Sequence, residues 1–199
     1  MTSSERPAGS APAAQAFVPR RTIVLIGPMA VGKSAIGAEL AAALGLAFVD
    51  SDALVVAKHG PIPEIFASRG ERHFRQLEAK AIAGVLDPES GAPAKPRVLS
   101  LGGGAVLDSG TQQLLARATV VHLDADLETV RDRITRNTGR PLLAEDPLSR
   151  WQELAAVRTP VYERLADITL DVRHGTVPEL VAALATALNT HPHHQIGPS

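Results

Sequence analysis

Apolar positions along the chain follow two rhythms: short continuous runs, and longer stretches in which they recur every third or fourth residue. Ile23-Val24-Leu25-Ile26 is apolar throughout and rich in β-branched residues, as expected of a strand covered on both faces. Ile36, Leu40 and Leu44 follow at helical spacing, and this helix, expected over about Ser34 to Leu44, ends at Gly45, a residue that tolerates the positive φ of a helix terminus. Leu46-Ala47-Phe48-Val49 reads as a short buried strand ending at Asp50-Ser51-Asp52. From Ala53 to Leu86 the spacing is helical, broken at Gly60-Pro61-Ile62-Pro63 and at Gly70; three short helices in succession predict a small insertion, about 51–86. Asp87 to Pro96, with its prolines and a glycine, reads as a surface loop.

The alternation then resumes. Val98-Leu99-Ser100-Leu101 is a strand that runs into Gly102-Gly103-Gly104, Thr111 to Arg117 a helix, and Thr119 to Leu123 a strand. A helix over Leu127 to Ile134 is broken by Thr138-Gly139-Arg140-Pro141, and the polar segment at about 138–148 has the composition of a lid. Leu148 to Arg164 is helical apart from Pro160, Asp167 to Val172 alternates as a strand, and Val177 to Leu188 closes as a helix. Five strands alternating with helices predict an α/β fold: three layers, α/β/α, around a five-stranded parallel sheet. The expected organisation is a single domain over residues 21–189, between disordered tails at 1–20 and 190–199.

The link between the first strand and first helix carries the chemistry. Gly27-Pro28-Met29-Ala30-Val31-Gly32-Lys33-Ser34 has glycines at its first and sixth positions and Lys-Ser at its end, the P-loop arrangement. Glycine lets the backbone turn tightly and gather N–H groups toward one point, where they and the positive helix end hold phosphate oxygens. Gly27, Ala30, Val31, Gly32, Lys33, Ser34 and Ala35 are therefore the expected nucleotide contacts. Lys33 adds a point charge on the β- and γ-phosphates, and the Ser34 hydroxyl a ligand for Mg²⁺. Asp50 and Asp52 stand at the carboxyl end of a strand, where ligands bind in α/β sheets, and Asp50 is a candidate for the metal or its water. Three adjacent glycines, each destabilising regular structure by about 1 kcal/mol, mark a place where backbone passes close to something, unless the segment is a plain flexible loop.

Composition narrows the partners. The 199 residues are 45% hydrophobic, enough for one domain with a real core, and a formal net charge of −1 offers no overall field for nucleic acid or an anionic membrane. No stretch approaches the roughly 18 apolar residues that cross a bilayer, and residues 1–20 lack the pattern of a signal peptide. The chain has no cysteine, which fits a reducing compartment, and the cytoplasm is the expected location.

Six blocks together resemble the shikimate kinase family: residues 27–34, Phe-Val-Asp-Ser-Asp at 48–52, the run Glu64 to Arg75 with Glu78, Leu-Gly-Gly-Gly at 101–104, Arg-Pro-Leu-Leu at 140–143 and Arg-Thr-Pro-Val-Tyr at 158–162. The match extends from about Thr22 to Val172 in the family's order and spacing. It implies a nucleoside-monophosphate-kinase-like fold and transfer of the γ-phosphoryl of ATP to the 3-hydroxyl of shikimate, in aromatic amino-acid biosynthesis. It also implies that Asp52, Arg75, Gly103 and Arg158 hold shikimate, that Ser34 ligates Mg²⁺, and that Arg140 on the lid reaches the ATP phosphates. Lys33, Asp52 and Arg140 are then the catalytic candidates, with ATP and shikimate as small-molecule partners of a monomer.

The residue types suit that chemistry. Arg75 and Arg158 offer planar forks for a carboxylate. Asp52 accepts hydrogen bonds from hydroxyls and is placed to take a proton from the attacking one. At Gly103 no side chain blocks approach to the backbone N–H. Plainer readings stay open: an ordinary ion pair between Arg75 and Glu78, Asp52 as the cap of a helix beginning at Ala53, Arg140 as a solvated loop residue, and Arg133 either stacked on adenine or on a solvated face.

The chain departs from the family pattern at Ala35, where a second hydroxyl is common, at Val56, where an acidic residue is usual, in a Gly60–Pro63 turn about one residue short, and at Gly175 near the adenine end. A gluconate, quinate or aminoshikimate kinase and a non-catalytic nucleotide-binding regulator are the alternatives.

Overall fold

The structure is a computed structural model, and it describes residues 19–90, 95–136, 142 and 146–191. The apolar run at the start forms strand β1 (Ile23–Ile26), each residue of which is buried. Among the described residues, β1 lies at the centre of a five-stranded parallel sheet with β2 (Ala47–Asp50), β3 (Arg97–Ser100), β4 (Thr119–Asp124) and β5 (Ile168–Asp171), in the order β2-β3-β1-β4-β5. The chain leaves β1 toward one edge and later returns to pair β4 on its other side. The loop after β1 therefore opens at a point where the strand order reverses, the place where such sheets form a crevice.

Successive side chains of β1 point to opposite faces. Ile23 and Leu25 pack with Ile36 and Leu40 of α1 (Lys33–Leu44), Val130 of α5 (Leu127–Arg136) and Leu184 and Leu188 of α7 (Val177–Thr190). Val24 and Ile26 pack with Ile82 and Val85 of α3 (Ile62–Leu86), Leu115 of α4 (Ser109–Leu115) and Tyr162 of α6 (Pro147–Leu165). Two apolar layers on one sheet give the expected three-layer arrangement.

Several boundaries differ from expectation for identifiable reasons. β2 is an edge strand, not a buried one: Ala47 is exposed and Phe48 to Asp50 are half-buried, because β3 is its only described neighbour in the sheet. Helix α2 (Ser51–His59) starts ahead of Ala53, since Asp50 already serves as its cap. The break before α3 is confined to Gly60 and Pro61, because Pro63 is accommodated in the first helical turn, where an amide hydrogen is not needed. Gly70, at φ 77°, divides α3 as predicted. The insertion has a small core of its own, in which Val55, Ile65 and Phe74 pack together. α6 runs through Pro160 without ending.

Residues 1–18 and 192–199 of the tails expected at 1–20 and 190–199, and residues 138–141 and 143–145 of the expected lid, lie outside the described residues, while Thr190 is the last residue of α7. No described helix is long and apolar enough to cross a membrane.

Candidate active site

The loop between β1 and α1 is shaped by backbone angles that its sequence allows. Gly27 has φ 140°, and a Cβ there would lie 2.6 Å from the Leu123 carbonyl oxygen of β4. Gly32, at φ 101°, caps α1. Between them Ala30 has φ 68°, a left-handed conformation uncommon outside glycine and therefore held by its surroundings. The Lys33 ammonium reaches back over the loop and donates to the carbonyls of Gly27 at 2.8 Å and Pro28 at 2.7 Å.

A cleft of about 610 Å³ opens over this loop. Ala30 to Ala35 line it, together with Asp50, Asp52, Gly102, Gly103 and Arg133. Arg133 is exposed at the rim, and its guanidinium donates to the Ala30 carbonyl at 3.2 Å. Gly175, placed near the adenine end but given no contact, lines the cleft, and Thr176, Val177 and Leu180 beside it were not anticipated. Their signal was present as Thr-x-x-Glu at 176–179, a capping box that starts α7 on the carboxyl side of the sheet: Glu179 accepts from the Thr176 amide at 2.7 Å.

The Ser34 hydroxyl donates to Asp50 Oδ2 at 2.7 Å, and both residues line the cleft. Among the described residues no group of three or more His, Cys, Asp or Glu side chains could by itself hold a metal. Two hard oxygen donors beside a phosphate loop nevertheless fit Mg²⁺, which takes few protein ligands and fills its octahedron with phosphate oxygens and water. Asp50 also caps α2, accepting through Oδ1 from the amides of Asp52 at 3.0 Å and Ala53 at 3.3 Å. The capping role considered for Asp52 thus belongs to Asp50, because the helix begins at Ser51. Asp52, in the first turn, faces ligand space instead.

Beside the cleft lies a smaller pocket of about 140 Å³, lined by Asp52, Arg75 and Arg158, the apolar side chains of Ile62, Phe66, Phe74 and Leu142, and the backbone of Gly102 to Gly104. Met29, Asp52, Gly102 and Gly103 belong to both spaces. Two guanidinium groups distant in the chain and one carboxylate therefore converge next to the phosphate loop.

The two arginines differ in setting. Burial opposes the Arg75 charge, but Glu78 at 2.6 Å and Glu71 at 3.2 Å outweigh it and raise its pKa. The Arg75–Glu78 pairing is thus real, and it holds a guanidinium that still lines the pocket. Arg158 is 4% exposed, and its Nε has no hydrogen-bond partner among the described residues. Burial lowers its pKa, Tyr162 partly offsets this and Arg75 adds to it, although a guanidinium stays protonated throughout. Burial raises the Glu78 pKa against the pull of Arg75.

The three glycines follow from these side chains. A Cβ at Gly102 would fall on Glu78 Oε1 and lie 2.9 Å from Asp52 Oδ1; one at Gly104 would lie 2.5 Å from the Arg75 guanidinium. Gly103, the position singled out from sequence, is the least crowded, its nearest neighbours lying at 3.4 and 3.5 Å. Its carbonyl accepts from the Tyr162 hydroxyl, whose pKa burial pushes up to about 12. Close approach does explain the triplet, but Gly102 and Gly104 bear it. Arg140 lies outside the described residues.

A phosphate loop that shares a wall with a pocket carrying two guanidinium groups defines an ATP-dependent kinase of a small anionic acceptor. The shikimate kinase family model matches residues 29–189. A shikimate kinase of Streptomyces coelicolor is 43% identical over 164 residues, which cover 82% of this chain and 92% of that one. The structure of an Acinetobacter baumannii shikimate kinase in complex with shikimate aligns with TM-score 0.81 and 32% identity over 89% of this chain and 98% of that one. That of Aquifex aeolicus aligns with TM-score 0.70 and 30% identity, over 84% and 96%. The chain belongs to the shikimate kinase family.

Proposed function

We propose that this chain transfers the γ-phosphoryl of ATP to the 3-hydroxyl of shikimate, with the cleft over the 27–34 loop holding the nucleotide and the adjoining pocket holding the acceptor. The observation that carries the reading is the shared wall of Met29, Asp52, Gly102 and Gly103. An acceptor bound beyond it lies next to the phosphates, which is what in-line transfer requires.

In this reading Arg158 and Arg75 pair with the carboxylate of shikimate, and the apolar wall of Ile62, Phe66 and Phe74 covers its ring. Asp52 accepts from the hydroxyls and takes the proton of the attacking one. The amides of Ala30 to Ala35 and the Lys33 ammonium hold the phosphates, with Arg140 of the lid reaching them from outside. Ser34 and Asp50 are the residues that would hold Mg²⁺, which when bound neutralises charge on the β- and γ-phosphates. A monomer in the cytoplasm belongs to the same proposal, and a chain without cysteine fits a reducing compartment.

A coupled ADP-release assay across shikimate, quinate, aminoshikimate and gluconate tests it. Turnover is expected with shikimate; turnover with gluconate and none with shikimate overturns the acceptor assignment, and no turnover with any of them favours a nucleotide-binding regulator.

A further inference from the structure

Four consecutive carbonyls of the phosphate loop accept hydrogen bonds from side chains. Lys33 takes those of Gly27 and Pro28, the Trp151 indole N–H donates to that of Met29 at 2.9 Å, and Arg133 donates to that of Ala30 at 3.2 Å. In a trans peptide the carbonyl and the following N–H point in opposite directions, and no described peptide bond is cis. Fixing the Met29 carbonyl on the indole therefore turns the Ala30 N–H the other way, and fixing the Ala30 carbonyl on Arg133 does the same for the N–H of Val31. Consecutive amides converge on an anion only if the residue between the two peptides takes an unusual conformation, and Ala30 sits at φ 68° without being glycine.

The indole comes from the segment that builds the acceptor pocket. Trp151, Arg158 and Tyr162 are the buried residues of α6, spaced by two turns and then one, so they share one face. Trp151 holds the loop at Met29, Arg158 lines the pocket, and Tyr162 holds the Gly103 carbonyl. Met29 itself borders both ligand spaces.

We infer that Trp151 is a positioning residue for the nucleotide: its indole N–H holds the 29–30 peptide so that the Ala30 amide faces the phosphates. The inference rests on the reading of residues 27–34 as the phosphate cradle. It concerns a hydrogen bond, and the packing of the ring is a separate matter.

Trp151 is the chain's single tryptophan, so biosynthetic replacement alters this position alone. Benzothiophene in place of the indole keeps the ring shape and removes the N–H; 4-fluorotryptophan keeps both. With benzothiophene the KM for ATP is expected to rise about five-fold, with kcat, the Kd for shikimate and the melting temperature unchanged. With 4-fluorotryptophan all four stay at native values. An unchanged KM for ATP, or equal losses for both ligands with a lowered melting temperature, overturns the inference. Lys33→Ala separates the two levels: if this variant still binds ATP normally the cradle reading itself fails, whereas if it loses ATP and the benzothiophene protein does not, only the role of the indole falls. Should the benzothiophene protein not fold, the native protein supplies the readout. Its one indole N–H resonance is expected to shift more with a nonhydrolysable nucleotide than with shikimate, and a resonance that stays put with nucleotide overturns the inference.

Discussion

Arg75 and Arg158 line one pocket from different helices, but Glu78 and Glu71 already pair with Arg75, whereas Arg158 is buried with its Nε unpartnered among the described residues. An incoming carboxylate therefore gains more from Arg158, whose desolvation has been endured before the ligand arrives. Arg158→Ala is expected to weaken shikimate binding by about 2 kcal/mol or more, as when one partner of a desolvated charge pair is removed, with ATP affinity nearly unchanged. Arg158→Lys should recover little, because an ammonium lacks the planar fork. Calorimetric titration with each ligand checks this, and equal losses for shikimate and ATP would contradict it.

Neighbouring glycines should respond in opposite ways. Gly102→Ala forces a methyl onto the Glu78 carboxylate and close to Asp52, while Gly103→Ala meets its nearest atoms at ordinary contact distance. The first is expected to lower stability by about 1–3 kcal/mol and to impair shikimate turnover by displacing the pair that holds Arg75. The second should fold like the native protein. Chemical denaturation of both variants is the measurement, and a Gly103 variant less stable than the Gly102 variant would refute the assignment.

Asp50 serves two ends through two oxygens: Oδ1 caps α2 and Oδ2 accepts from Ser34. Asparagine can keep the cap with its carbonyl oxygen but loses the charge. Asp50→Asn is therefore expected to raise the Mg²⁺ concentration needed for half-maximal activity with stability little changed, and Asp50→Ala to lose about 1 kcal/mol of stability besides. Activity titrated with Mg²⁺, set against thermal unfolding, separates the two roles.

The sheet was legible because β1 is an unbroken apolar run, a pattern that buried parallel strands produce, and because Val120, Val121 and Leu123 of β4 cluster between two helical stretches. The edge position of β2 was not, because Ala47 to Val49 is as apolar as a central strand, and strand order depends on crossovers that leave no mark on hydropathy. The phosphate loop was legible from spacing. The donors behind it were not: Trp151 and Arg133 bind loop carbonyls from more than a hundred residues away, and nothing local in either helix points there. The glycine triplet shows the same boundary. Its composition announced a close approach, but that Gly102 meets Glu78 and Gly104 meets Arg75 follows only from the packing of α3 on the loop.

His122 of β4 supplies a pH dependence that the reaction chemistry does not require. It is 2% exposed, its Nδ1 has no partner among the described residues, and its ring lies 5.2 Å from that of Tyr162. Burial lowers its pKa; Asp124 and Glu163 oppose this and Lys33 reinforces it. The unfolded chain, whose histidine titrates near the ordinary 6.5, therefore binds more protons between that value and the lowered one. This contribution to stability is fully present above that value and is lost as pH falls below it. Replacing the ring by Phe keeps an aromatic contact with Tyr162 and removes the titration. The melting temperature of His122→Phe relative to the native protein is expected to rise steadily as pH is lowered from about 7.5 to about 5.5, whatever its offset at the upper end. A difference that stays constant across that range would mean that His122 is equally protonated in both states and that its burial exacts no penalty on the charged form.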